Sequence, residues 1–186
     1  RNVHYGIREH AMAAIMNGIA YHKGMLPFGA SYLVFTDYLR GALRLSCMAK
    51  LHVIYLMTHD SIHVGGDGPT HQPVEHLAAL RAIPGLSVIR PADANEAREA
   101  WLQAIRNNGG PTVLAFSRQN LPTLDRSHGA PASLLQKGAY VYKDYGENDP
   151  ELILIASGSE VELAVKAAEK LEEGGRAVRV VSMPSF

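Results

Sequence analysis

Between residues 58 and 73 the chain reads Thr58-His59-Asp60-Ser61-Ile62-His63-Val64-Gly65-Gly66-Asp67-Gly68-Pro69-Thr70-His71-Gln72-Pro73. Three histidines, two aspartates and three glycines fall within these sixteen residues. Imidazoles exchange protons near neutral pH, and glycines let backbone approach a ligand closely. The same composition also suits a solvated loop with turn-forming Asp and Gly. His59, His63, Asp67 and His71 follow no compact metal-ligand spacing, so no metal site is assigned to them.

Five other positions carry chemical potential. Glu9 lies three residues before Met12 and seven before Met16, on one helical face. A carboxylate on a buried face either caps, pairs with a cation or serves proton chemistry. An acidic residue in a first helical turn also simply complements the helix dipole. Tyr32, Phe35 and Tyr38 recur every three residues, as a core-facing stripe or as a wall that stacks against a flat heteroaromatic ring. Arg118 follows an apolar run, where a guanidinium can take a phosphate bidentately or form a surface ion pair.

The elements that must position these residues alternate between strands and helices. Residues 10–22 place Met12, Ile15, Met16 and Ile19 at helical spacing. A second helix is expected over 33–49, a buried strand over 53–57, a short helix over 73–83 and a strand over 87–89. Asp93 and Glu96 make a capping-box pattern for a helix whose buried face carries Ala97, Ala100, Trp101 and Ala104. Residues 112–117 predict a third buried strand. Residues 119–137 lack periodicity and read as a linker. A second unit follows, with a strand over 152–156, a helix capped by Ser159 and Glu162 and ended by Gly174 and Gly175, and a strand over 178–182. The fold class is therefore α/β: a parallel sheet with flanking helices, then the start of a second α/β domain.

The chain has 186 residues, 47% hydrophobic and 19% charged, with no formal net charge. That balance is globular and gives no sign of a nucleic-acid or membrane-surface partner. No apolar run reaches the roughly 18 residues that cross a bilayer. The single cysteine, Cys47, sits in an apolar pattern, reads as a small core residue and fits a reducing, cytoplasmic compartment. The opening at Arg1 and the strand-like run before Phe186 lead us to expect a piece of a longer protein.

Five runs, in order, resemble transketolase: His4-Tyr5-Gly6-Ile7-Arg8-Glu9-His10, Thr58-His59-Asp60-Ser61-Ile62, Asp67-Gly68-Pro69-Thr70-His71-Gln72-Pro73, Ser117-Arg118-Gln119-Asn120 and Gly158-Ser159-Glu160-Val161. Each is weak alone; the ordered set is specific. The resemblance implies a thiamine-diphosphate-binding pyrimidine domain over 1–125, a linker over 126–137 and the start of a C-terminal domain over 138–186. It implies that an upstream domain holds the diphosphate and Mg²⁺ through a glycine–aspartate–glycine motif, so that this chain binds no metal and is inactive alone.

In that family a glutamate shares a proton with a ring nitrogen of the cofactor's aminopyrimidine, which then helps deprotonate the thiazolium carbon. Glu9 stands at that position, and Tyr32, Phe35 and Tyr38 stand at the pyrimidine pocket. Asp67 matches the residue that reads the donor's hydroxyl beside the carbonyl. His71 matches a histidine of the same pocket, and His59 and Arg118 match groups that hold the substrate phosphate. The implied reaction moves a two-carbon ketol unit from a ketose phosphate to an aldose phosphate, in the pentose phosphate pathway or Calvin cycle, on a homodimer whose sites are shared between subunits.

Three positions depart from the family's pattern: His63 replaces a small residue, Gly66 an acidic one and Tyr32 a phenylalanine. The first two bear on sugar preference. Deoxyxylulose-phosphate synthase and the beta chain of 2-oxoacid dehydrogenases share the glutamate, but the runs at Thr58 and Ser117 favour transketolase. Dihydroxyacetone synthase, and a separate regulatory or assembly subunit, stand as further readings.

Overall fold

A computed structural model describes residues 2–186 as two compact units. One takes in the chain up to Val88 together with Ala104–Gln119; the other takes in Ile89–Gln103 and Asn120–Phe186.

The first unit is built on a sheet of β1 (Phe28–Tyr32), β2 (Ile54–Thr58), β4 (Thr112–Ala115) and β3 (Ser87–Ile89), in that spatial order. Both β1 and β4 run parallel to β2. Parallel pairing needs crossover segments covering the sheet, which explains why β4 is buried at every position. Helices α1 (Glu9–His22), α2 (Thr36–Met48) and α3 (His76–Arg81) belong to this unit. Its core gathers Met12, Met16, Leu33, Leu39, Leu43, Tyr55 and Met57. The buried Tyr55 hydroxyl donates to Asn17 Oδ1 at 3.0 Å and lies 3.2 Å from Ser46 Oγ, so the one polar atom of that ring is satisfied. Burial pushes the Cys47 thiol up to about 11, which leaves it protonated at neutral pH and suits a packing role.

The approach of α1 to β1 depends on one missing side chain. A Cβ at Gly29 would lie 2.6 Å from Met16 Sδ and 3.1 Å from Met12 Sδ. Strand alternation puts Gly29 and Ser31 on one face, and helical spacing puts Glu9 one turn before Met12. The stripe Glu9–Met12–Met16 therefore lies over Ser31–Gly29, with the carboxylate beyond the sulfurs.

The second unit contains most of α4 (Ala94–Arg106), with β5 (Tyr140–Tyr145), β6 (Leu152–Ala156), α5 (Glu160–Glu173) and β7 (Val178–Ser182). Its sheet runs β5-β7-β6, with β6 parallel and β5 antiparallel to β7. Tyr140, Tyr142, Tyr145, Val161, Val178 and Val180 form its core. A buried polar cluster sits beside them. Glu96, fully buried, accepts from the Ala92 amide at 2.8 Å, the Tyr140 hydroxyl at 2.5 Å and the Ser182 hydroxyl at 2.6 Å. Asp93 accepts from the amides of Glu96 and Leu124 and faces Arg126 at 3.4 Å.

Most expected elements are present, with local corrections. The helix expected over 33–49 begins as a 3₁₀ turn (Leu33–Phe35) and becomes α-helical at Thr36. The capping pair works differently from the usual box: Asp93 takes the Glu96 amide, but Glu96 reaches the Ala92 amide, one residue earlier than the N-cap. Ser159 does not cap α5; its hydroxyl instead donates to Glu160, beside Arg90. The segment 119–137 contains a 3₁₀ helix, Ala132–Lys137. Two strands were invisible in the sequence pattern, β1 and β5. Among the described residues, no helix is long and apolar enough to cross a membrane.

Candidate active site

The register Tyr32↔Thr58 sets the carboxyl ends of β1 and β2 side by side. Arg118 follows β4, which runs parallel to β2, and so leaves the sheet at the same end. In open parallel sheets this is the end where ligands bind.

Five rings meet there. Tyr32 and His59 stack with centroids 3.6 Å apart and planes 17° from parallel. Tyr32 and Phe35 stand 5.9 Å apart with planes within 9°, and Phe35 and Tyr38 lie 5.8 Å apart. His71 meets Phe35 edge-on at 5.4 Å and Tyr32 edge-on at 6.4 Å. The stripe read from the sequence is thus not one helical face. Tyr32 ends a strand, Phe35 sits in the 3₁₀ turn, and Tyr38 projects from α2, 65% exposed. A 3₁₀ turn nearly eclipses residues three apart, which keeps the successive rings in line.

His59 adopts φ 61°, a left-handed conformation that a non-glycine residue rarely takes. That backbone turns the chain sharply after β2 and brings the imidazole onto Tyr32. Its Nδ1 lies 2.9 Å from Thr58 Oγ1. Burial lowers the His59 pKa, the nearby Arg118 charge lowers it further, and Asp67 and Asp60 oppose both. The ring is therefore neutral at neutral pH, one nitrogen carrying hydrogen and the other a lone pair. The rest of the loop folds back through hydrogen bonds from the Gly68 amide to Gly65 O and from the His71 amide to Gly68 O, both 3.1 Å. Gly65 (φ 77°) and Gly68 (φ 76°) supply the left-handed turns this needs. The result returns His71 to the rings, with its Nδ1 2.9 Å from Thr70 Oγ1. Asp67 is exposed within the loop.

Glu9 opens α1, and its Oε1 accepts a hydrogen bond from Ser31 Oγ at 3.3 Å. Ser31 precedes Tyr32 on β1, so the strand that holds the carboxylate on one face delivers the first ring on the other. The structure thus joins Tyr32, Phe35, Tyr38, His59 and His71 directly. Asp67 and Arg118 lie within electrostatic reach of His59, and Glu9 comes in through Ser31. His63 and Gly66 are exposed on the loop, and a Cβ at Gly66 would meet nothing within 4 Å.

Sequence reasoning missed Ser31, Thr58 and Thr70, the hydroxyls that hold Glu9, His59 and His71. It also missed Asp37, Glu75 and His76, whose ligand-capable atoms lie within 4.8 Å of one another. His76 Nε2 is already 3.1 Å from Asp37 Oδ2, and Arg40 occupies Asp37 Oδ1 at 3.1 Å. That group is internally paired. A separate groove of about 590 Å³ between α1 and α2 contains none of the eight residues singled out from the sequence. The amide of Asn17 in it is spent on Ala42 O and Tyr55.

Stacked rings at the carboxyl ends of parallel strands suit a flat heterocycle, and Arg118 supplies a positive charge at the same end of the sheet. Fold and ring cluster together define an α/β domain whose aromatic side chains gather at the carboxyl ends of its strands. Residues 1–123 match the family described as transketolase, pyrimidine binding domain, and residues 138–186 match the transketolase-like C-terminal domain. The chain belongs to the transketolase family. It is 56% identical over its whole length to a transketolase of Halalkalibacterium halodurans, and spans 28% of that relative. The transketolase of Campylobacter jejuni superposes over the full chain, 28% of its own length, with TM-score 0.92 and 43% identity. A Pichia stipitis transketolase in complex with sedoheptulose 7-phosphate superposes over 97% of the chain and 26% of its own length, with TM-score 0.90 and 46% identity. The chain spans about a quarter of the length of these relatives.

Proposed function

We propose that this chain forms the cofactor-activating half of a transketolase, with Glu9 as the proton-exchanging residue. The enzyme moves a two-carbon ketol unit from a ketose phosphate of the xylulose 5-phosphate type to an aldose phosphate. The pyrimidine of thiamine diphosphate packs on Tyr32, Phe35 and Tyr38, while the diphosphate and Mg²⁺ are held outside this chain. The working form is a homodimer, each site completed by the partner subunit, in the cytoplasm and in pentose phosphate metabolism. Residues 1–125 act as the pyrimidine domain, 126–137 as a linker and 138–186 as the opening of the C-terminal domain.

Bound thiamine diphosphate supplies the carbanion chemistry; the chain supplies position, polarity and proton transfer. Glu9 exchanges a proton with a pyrimidine nitrogen, a task for a carboxyl group held against a ring in a partly dry site. Tyr32, Phe35 and Tyr38 fix the ring plane and shield it from water. Asp67 accepts from the donor hydroxyl next to the carbonyl, and His71 lines the same pocket. Arg118 carries the charge that attracts substrate phosphate. His59, neutral at this pH, contributes a directed N–H hydrogen bond. His63 and Gly66, exposed on the same loop, tune the choice of sugar.

The observation that carries this reading is the Glu9 carboxylate at the start of α1, held by Ser31 on the strand whose next residue, Tyr32, opens the five-ring cluster. The test is Glu9→Gln in the intact protein. Turnover should fall by about 10²–10⁴-fold, the scale of general acid–base catalysis. Near-normal turnover with xylulose 5-phosphate as donor would remove Glu9 from the chemistry.

A further inference from the structure

We propose that Ser31 is a positioning residue for the same reaction, acting through Glu9 and resting on the assignment of Glu9 above. Three observations converge on it. Its hydroxyl donates to Glu9 Oε1 at 3.3 Å. It stands between Gly29, where α1 touches the sheet, and Tyr32, the first ring of the cluster. Both Ser31 and Glu9 are only partly exposed, so bulk water does not freely substitute for the bond.

The geometry explains why a hydroxyl serves at this point. Glu9 is the first residue of α1, and no side chain caps that end of the helix. A glutamate there has free rotation about its side-chain bonds, and holding one rotamer costs conformational entropy. The Ser31 bond engages Oε1 and leaves Oε2 to meet a ligand. Its length exceeds the 2.7–2.8 Å typical of O–H···O contacts. The carboxylate is thus tethered with slack, and it can swing toward a heterocycle without first breaking a tight bond. Contacts of this kind commonly shorten once the ligand is in place.

The test uses Ser31→Ala, Ser31→Thr, Glu9→Gln and Glu9→Ala in the intact protein, with Ser31→Ala also combined with Glu9→Ala. Two readouts are needed: kcat, and the Kd for thiamine diphosphate from isothermal titration calorimetry with Mg²⁺ present. Ser31→Ala should lower kcat by about tenfold and weaken cofactor binding by about threefold, the loss expected of one hydrogen bond to a carboxylate. KM for the sugar donor should stay within about twofold, because Ser31 touches no substrate group. Ser31→Thr keeps the hydroxyl and should restore both readouts.

The decisive arm is the double variant. A Glu9→Ala background removes the acceptor altogether, so if Ser31 acts only through Glu9, adding Ser31→Ala to Glu9→Ala changes the cofactor Kd no further. Independent, multiplying effects on Kd would overturn the proposal, as would a Ser31→Ala variant with both readouts intact. Near-normal turnover in Glu9→Gln would instead sink the assignment of Glu9. A loss of activity in Ser31→Ala that Ser31→Thr fails to rescue would mean a packing role and also refute the proposal.

Discussion

Two clusters of polar residues, one in each unit, look alike by composition and behave oppositely. In the second unit Asp93, Glu96, Tyr140 and Ser182 are buried, and with the half-buried Arg126 they bond mainly to one another. Burial, with the Glu96 charge and hydrogen bond, drives the Tyr140 phenol far above its usual range, though Arg126 opposes this. In the first unit Glu9, His59, Asp67, His71 and Arg118 stay partly or fully exposed. A search for strongly shifted titrations would select the second cluster. The Tyr140 shift comes first from burial, and the carboxylates beside it are already occupied by protein donors. The first cluster keeps unspent valences at the carboxyl ends of parallel strands, where a ligand can reach them.

The comparison breaks most sharply under matched substitutions. Glu9→Gln should abolish most turnover and leave thermal stability nearly unchanged, since the residue is partly exposed. Glu96→Ala should do the reverse. It strands Tyr140, Ser182 and the Ala92 amide without their acceptor, at a cost of about 3–5 kcal/mol. Urea denaturation of the intact protein, followed in this domain by hydrogen exchange, measures that loss. The protein that remains folded should keep its donor KM. A Glu96 variant of full stability would show that the buried cluster is not structural.

A smaller effect is expected at Arg118. Arg118→Ala should raise KM for phosphorylated sugars about tenfold or more, and for unphosphorylated sugars much less. Equal changes for both would separate Arg118 from phosphate recognition.

The smallest effect concerns acid. In the second unit Arg90 reaches Glu160 and Ser159 and donates to the Ser157 carbonyl at 2.9 Å. Burial raises the Glu160 pKa, but the hydrogen bond and charge of Arg90 outweigh it, with help from Ser159, and the net shift is downward. A carboxyl group with a lowered folded pKa stabilises the fold above its ordinary value, near 4.5, and loses that contribution as pH falls through the lowered value. Urea midpoints of the native protein and of Glu160→Gln should therefore differ at pH 7 and converge in that acid window. A constant difference across it would place the stabilisation elsewhere.

Much of this was legible before any coordinates. The runs at Ile54–Thr58 and Thr112–Ala115 are apolar without interruption because both faces of a parallel sheet are covered. Glu9 shares a helical face with Met12 and Met16, which are buried, whereas Ile15, expected on the same buried face, is exposed because the seat of α1 is Met12, Ala13 and Met16. The strand β1 was not legible. Phe28-Gly29-Ala30-Ser31-Tyr32 holds two tiny residues and a serine, and at Gly29 it is the approach of α1 rather than strand propensity that sets the size. Ser31 was missed for the same reason, since its role exists only once that strand is placed. β5 was obscured by Lys143 and Asp144 at its outer positions, although Tyr140, Tyr142 and Tyr145 all turn inward. The turn of His59 onto Tyr32 depends on one unusual φ, which no composition announces.

The bare Cα at position 29 has a reach beyond packing. Because α1 rests its two thioethers directly there, the helix behaves as a lever whose fulcrum is a hydrogen atom. A side chain there has to displace the Met16 and Met12 sulfurs, so the seating of the helix that Glu9 opens is set at a glycine two residues before Ser31.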